Sequence, residues 1–277
     1  MSLPFVKMNG LGNDFVIVVV DGEPFEPTPE RARTIADRQA GVGCDQLIAI
    51  GRSKVADAAM RIWNADGGEV EACGNASRCI AWLIMEATDR EHVTIETAGG
   101  VLAAHRDPER PVTIDMGEPR LAAADIPLAW AMDTADIPIR LDGTLGHPGC
   151  VNVGNPHVVF FVDDVETAPV RTSGPALEAH WLFPERANVG FAQVMSRDHI
   201  RLKVWERGVG QTRACGTGAC AALVAAHRRG LTDRVATVEL DGGPLNIEWR
   251  ESDGHLLMTG PVAVEFRGWL PGEKAGD

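Results

Sequence analysis

An α+β fold is predicted, built as two pseudo-symmetric β-rich domains that each curl a barrel-like sheet around one buried helix. Three observations predict it: the chain length, a gap-free internal repeat, and two apolar helices that begin at matching places within that repeat. The chain has 277 residues, and at roughly 150 residues per domain that is room for two. The phrase Ala72-Cys73-Gly74-Asn75-Ala76 returns as Ala214-Cys215-Gly216-Thr217-Gly218, with Cys215 lying 142 positions after Cys73. The same offset sets Gly12-Asn13 over Gly154-Asn155, Val16 over Val158, Gln46 over Asn188, Trp63 over Trp205, Asn64 over Glu206, Met116 over Met258 and Pro119 over Pro261. Accidental likeness between two β-rich stretches loses register within a few turns, so a single offset held this long marks duplication of a whole domain. The expected domains are 1–118, with 263–277 a candidate returning tail, and 119–262, with the active site in the cleft between them.

The elements follow in order. Apolar runs bounded by Gly, Asp and Pro predict strands over 15–20, 58–63, 93–97, 101–106 and 112–116. Thr28-Pro29-Glu30 carries the cap and first-turn residues of a helix running to about residue 38. The run 75–88 is apolar around most of its circumference, which predicts a helix buried inside its domain. Its repeat mate spans about 217–229 and stops at Gly230.

Composition excludes several classes of function. Lys and Arg number 26 against 39 Asp and Glu, a net charge of −13, the opposite of a phosphate-binding surface, so no nucleic-acid partner is expected. The longest early apolar run, 15–20, is too short to span a bilayer and has no basic leader, so neither a membrane association nor a signal peptide is expected and the chain reads as cytoplasmic. The six cysteines form no Cys-x-x-Cys pair and have no histidines at zinc-finger spacing, so no metal is expected. Cys44, Cys79, Cys150 and Cys220 read as small buried hydrophobes. No Gly-x-Gly-x-x-Gly or Gly-Lys-Ser/Thr phosphate loop occurs.

Cys73 and Cys215 differ, because each directly precedes the buried helix of its own half. Unsatisfied N–H groups and the helix dipole stabilise an anion there, lowering a thiol's pKa toward its reactive thiolate. The same N–H groups hold a carboxylate. Pseudo-twofold packing is expected to bring the two thiols to opposite faces of one carbon, the arrangement that inverts a stereocentre: one thiolate removes a proton and the other thiol delivers one. An amino-acid α-proton is far less acidic than a thiol, so the carbanion also needs stabilisation at its carboxylate and exclusion of water. A single-nucleophile cysteine enzyme needs no duplicated pair.

The motifs Asn9-Gly10-Leu11-Gly12-Asn13-Asp14-Phe15, Gly41-Val42-Gly43-Cys44-Asp45-Gln46, Asn64-Ala65-Asp66-Gly67, Gly154-Asn155-Pro156-His157, Ala187-Asn188-Val189-Gly190 and Glu206-Arg207-Gly208, with the two cysteine phrases, resemble the diaminopimelate epimerase family in order and spacing over nearly the whole chain. The resemblance implies interconversion of LL- and meso-diaminopimelate without a cofactor, in lysine and cell-wall precursor synthesis. It implies Cys73 and Cys215 as acid and base, His157 and Glu206 as residues tuning their proton affinity, and Gly74, Asn75, Gly216 and Thr217 as backbone donors to the reacting carboxylate. The remaining substrate contacts fall on Asn13, Gln46, Asn64, Asn155, Asn188, Glu206 and Arg207. A homodimer is implied too, with Phe266 where the family often has a tyrosine at the dimer contact; this chain contains no tyrosine. Trp63 and Gln211 stand where the family commonly carries a smaller aromatic and an acidic residue.

The chemistry of the substrate agrees with these residue types. A carboxylate and an ammonium at each end need acceptors, donors and both charges: Glu206 suits an ammonium, Arg207 forks onto a carboxylate, and amides serve either. Plainer readings stand beside them. Asn and Gly also mark turns, Glu206-Arg207 also reads as a surface pair, and His157 also reads as a strand histidine with a satisfied hydrogen bond. Three other functions compete: a proline-type racemase, a cysteine-free isomerase of the same fold, and a silent carboxylate-binding protein. The first needs fewer polar groups for a distant amino-acid end, the second lacks both thiols, and the third binds without exchanging an α-hydrogen.

Overall fold

The computed structural model describes residues 2–20, 25–70, 74–106, 111–139 and 146–271. Its chain divides into two compact units, one of residues 1–114 and 260–277, the other of residues 115–259. In the first unit lie β1 (Leu3–Gly10), β2 (Asn13–Val19), α1 (Pro29–Ala36), β3 (Gln46–Gly51), β4 (Ala58–Asn64), β5 (Glu69–Val70), α2 (Gly74–Thr88), β6 (His92–Thr97) and β7 (Gly100–His105). After β8 (Val112–Asp115), the second unit carries β9 (Gly149–Asn152), β10 (Pro156–Phe161), α3 (Val170–Glu178), β11 (Asn188–Ser196), β12 (His199–Glu206), β13 (Gly210–Thr212), α4 (Gly216–Arg228), β14 (Val235–Leu240), β15 (Gly243–Trp249) and β16 (Leu256–Gly260). The last strand, β17 (Ala263–Leu270), returns to the first unit and pairs antiparallel with β1.

The duplication is written into the elements themselves. Shifted by the Cys73-to-Cys215 offset, β2, β3, β4 and β5 fall on β10, β11, β12 and β13, and α1 and α2 fall on α3 and α4. Pairing is repeated as well. β2 runs parallel to β3 with Phe15 opposite Gln46, and β10 runs parallel to β11 with His157 opposite Asn188. Each is followed by an antiparallel partner, β4 in one unit and β12 in the other. Tight reversals fall at equivalent places: Gly12 and Gly154 have φ of 82° and 83°, a conformation glycine enters without a Cβ clash.

Side-chain alternation along the strands buries both faces of the sheet. In the first unit Val16, Val18, Leu47, Ala49 and Trp63 form one core with Ala32, Ile35 and Ala36 of α1. Their neighbours Phe15, Ile17, Ile48 and Ile62 are equally buried and point to the opposite face. A strand buried on both sides reads as a continuous apolar run rather than an alternation, which is why the sequence marks β2 so clearly. The second unit repeats the arrangement with Val158, Phe160, Val189 and Phe191 against Val170 and Leu177 of α3. There α4 packs on β9, β10, β11, β12, β14 and β15. Residues 218–226, mostly Gly, Ala and Cys with Leu223 and Val224 among them, are all buried.

Two expectations need correction. The helix 75–88 is buried only through its first two turns and at Met85; its last residues, 86–88, are exposed, with Glu86 salt-bridged to Arg106. It also buries Arg78 completely, a charge the apolar pattern gives no reason to place inside. The helix starting at Pro29 is capped by the Thr28 side chain as expected but stops at Ala36, short of residue 38. Cys44, Cys79, Cys150 and Cys220 are all buried, and burial pushes the Cys44 thiol up to about 11 and the Cys150 thiol higher still.

Candidate active site

Cys215 caps α4. Its backbone is extended (φ −133°, ψ 106°) and its Sγ accepts the Gly218 N–H at 3.4 Å. The sulfur therefore sits on one of the helix N–H groups that have no partner within the helix. Thr217 Oγ1 lies 3.6 Å from the same sulfur and 3.0 Å from Nε2 of His157 on β10. Asn155 Oδ1 lies 2.9 Å from that nitrogen. The imidazole is 1% exposed; burial, helped by the charge of Arg207, pushes its pKa down to about 3 and keeps it neutral.

Glu206 ends β12. Burial raises its pKa, while hydrogen bonds from Thr212 and Cys215 pull the other way; Thr212, on β13, donates to Glu206 Oε1. The hairpin that presents it is pinned by Glu178 of α3, which accepts the Trp205 indole N–H at 2.8 Å and the Gly208 N–H at 3.1 Å. Asn188 fastens the neighbourhood: its Nδ2 donates to the Pro156 carbonyl at 3.0 Å and its Oδ1 accepts the Arg207 N–H at 2.9 Å. The Arg207 side chain is exposed and donates to the Glu185 carbonyl at 3.0 Å. Gly216 is buried in the first turn of α4. The second unit thus brings together Asn155, His157, Asn188, Glu206, Cys215, Gly216 and Thr217.

In the first unit Cys73 itself lies outside the described residues. The next residue, Gly74, opens α2, and Asn75 is buried beside it with Oδ1 accepting from Arg78 at 3.0 Å. Gly10 of β1, the register partner of Asn13, packs against Asn75. The Asn13 amide donates to Asp45 Oδ2 at 2.9 Å. Asp45 also accepts the Asp14 N–H at 3.1 Å, and Arg38 bridges Asp14 and Asp45. Lys7, buried beneath, pairs with Asp14. Burial alone raises the Asp14 pKa, but the Arg38 and Lys7 hydrogen bonds outweigh it and hold the carboxyl well below the usual range. Gln46 and Asn64 are register partners on β3 and β4, with Gln46 Nε2 donating to Asn64 Oδ1 at 3.0 Å. Gln46 Oε1 is buried and has no hydrogen-bond partner among the described residues.

The remaining predicted positions lie elsewhere. Phe266, on β17, is half-exposed and meets Phe5 edge-on at 5.9 Å. Trp63 is buried against Phe25, and Gln211 accepts from Arg171 at 2.8 Å. Four residues that hold this arrangement escaped sequence reasoning: Arg78, Asp45, Glu178 and Thr212. A charge inside an apolar helix is a signal for Arg78, since such residues are almost never fully buried without a partner; the others carry no local signal.

The description "Diaminopimelate epimerase" belongs to a family model that matches residues 5–122 and 149–265. A protein of that name from Phenylobacterium zucineum (strain HLK1) is 58% identical over 274 residues, covering 98% of this chain and 99% of the relative. The chain belongs to the diaminopimelate epimerase family. The family's fold extends to more distant proteins. A phenazine biosynthesis protein of the PhzF family from Enterococcus faecalis superposes with a TM-score of 0.72 at 18% identity, covering 98% of this chain and all of that one. A hydroxyproline epimerase from Agrobacterium vitis, with bound trans-4-hydroxy-L-proline, gives 0.67 at 16% identity, covering 97% and 92%. At such identities the likeness is one of fold.

Proposed function

We propose that this diaminopimelate epimerase family member interconverts LL- and meso-2,6-diaminopimelate without a cofactor, for lysine and peptidoglycan precursor synthesis in the cytoplasm. Cys73 and Cys215 serve as the acid–base pair, one removing the α-proton as thiolate while the other delivers a proton as thiol. The observation that carries this is the placement of Cys215 Sγ on a free N–H at the start of a buried helix, with the same phrase repeated at Cys73. A thiolate there is stabilised by the helix end. The backbone N–H groups of Gly74, Asn75, Gly216 and Thr217 receive the reacting carboxylate, where charge develops as the proton leaves.

The second amino-acid end meets the amides of Asn13, Gln46, Asn64, Asn155 and Asn188, with Glu206 and Arg207 supplying charge. The unpartnered Gln46 Oε1 supports this reading, because a buried acceptor without a donor costs about 1–3 kcal/mol unless a ligand supplies one, and an ammonium does. Glu206 and His157 set the proton affinity of Cys215. We assign the homodimer contact to β17, which leaves Val264, Phe266 and Trp269 exposed.

Incubation with LL-diaminopimelate in heavy water tests the reading. One α-carbon acquires solvent deuterium as the meso isomer forms, with no added pyridoxal phosphate or metal, and proline and hydroxyproline remain unchanged. Cys73→Ala and Cys215→Ala each slow epimerisation by more than about a thousandfold. Normal turnover by either variant sinks the two-thiol assignment, and exchange on proline instead of diaminopimelate sinks the substrate.

A further inference from the structure

The two-thiol reading, on which this inference rests, uses Thr217 only through its backbone. Its hydroxyl stands between two other members of the site, 3.0 Å from His157 Nε2 and 3.6 Å from Cys215 Sγ. A hydroxyl has one proton to give, so the direction of these contacts depends on which neighbour already carries a hydrogen. Nε2 also lies 2.9 Å from Asn155 Oδ1, and an amide oxygen only accepts. The hydrogen of the imidazole is therefore on Nε2. Burial keeps the ring neutral, so this is the one N–H hydrogen it has. That N–H points at the Thr217 oxygen as well as at the amide, occupies a lone pair, and leaves the hydroxyl proton free to turn toward sulfur.

We propose that the Thr217 hydroxyl, aimed by the Nε2–H of His157, is a hydrogen-bond donor that holds Cys215 as thiolate. His157 then acts on the sulfur through Thr217 and does not take its proton. Each protonation state of Cys215 has its own partners: the thiolate accepts from Thr217 Oγ1 and the Gly218 N–H, while the thiol donates to Glu206. A residue that must serve as base in one direction and acid in the other needs both sets, and neither set requires a side chain to move between elements.

Alkylation of Cys215 by iodoacetamide, followed across about pH 6 to 10 with the modified peptide identified by mass, tests this in a Cys73→Ala background, because the thiolate is the reacting form. Thr217→Val removes the hydroxyl at nearly constant volume, and Thr217→Ser keeps it. The midpoint of the alkylation profile rises by about one pH unit in Thr217→Val, with about a tenfold slower reaction near neutrality; Thr217→Ser keeps the parent midpoint. Thr217→Ala, a second variant without the hydroxyl, shifts in the same direction and covers a folding failure of the valine variant. An unmoved midpoint in the valine or alanine variant overturns the proposal, as does a serine variant shifted as far as valine. The assay contains no diaminopimelate, so a wrong substrate assignment leaves its outcome unaffected.

Discussion

Glu206 is held by opposing forces: burial favours its neutral form, while hydrogen bonds from Thr212 and Cys215 favour its charge. Its folded pKa is raised, so it supports the fold while protonated, and that support is lost as pH rises from the unfolded carboxylate value through the folded one. Glu206→Gln replaces it with a neutral group of the same shape that still accepts from Thr212 but cannot take a proton. Its melting temperature should exceed that of the parent by more at pH 8 than at pH 5, while epimerisation slows at both. Equal melting temperatures at the two pH values would show that the buried charge costs nothing. His157 has the reverse sign. Its folded pKa lies near 3, below the value of a free imidazole, so it contributes to acid destabilisation as pH falls from about 6.5. At this scale the sequence identified Cys215 by its position before an apolar run, but not Thr212, because the bond from Thr212 to Glu206 exists only once β13 has folded back on β12.

Elements are joined at a few close contacts. Gly174 of α3 lies so near Trp205 of β12 that an added Cβ would sit 2.6 Å from the indole Cγ. That atom belongs to the root of a rigid ring whose N–H is already engaged by Glu178, so it cannot swing aside cheaply. Gly174→Ala is expected to destabilise the protein by about 1–3 kcal/mol, measured by urea denaturation, and to lower turnover because Trp205 directly precedes Glu206. A variant with parent stability would mean that α3 and β12 are free to separate. The apolar runs and the Thr28-Pro29 start were legible at this scale because strand alternation and helix capping are local. The exposed end of α2 was not, since where a helix leaves its core depends on where the surrounding strands stop.

For the whole molecule, the acidic balance of 26 basic against 39 acidic residues steers away polyanions, and no helix among the described residues is long and apolar enough to cross a membrane. The returning strand β17 pairs with β1 on one side and leaves Phe266 48% and Trp269 68% exposed. They lie an odd number of residues apart and so project from opposite faces of the strand; exposed apolar side chains on an edge strand are a liability on a lone subunit. Phe266→Lys is expected to turn the proposed dimer into monomers in sedimentation equilibrium at micromolar protein, with the far-ultraviolet dichroism of the parent retained. Undiminished dimer would move the contact elsewhere.

The linear chain determined the duplication, its offset, the two helices and the thiols that precede them, because a copied domain keeps its spacing and apolar periodicity whatever surrounds it. Folding alone decided the strand partner and register of the returning tail, the burial of Arg78, the pinning of the Glu206 hairpin by Glu178 and the line from His157 through Thr217 to Cys215. Those contacts join residues far apart in the chain, and the direction of each hydrogen bond depends on which groups meet out of water.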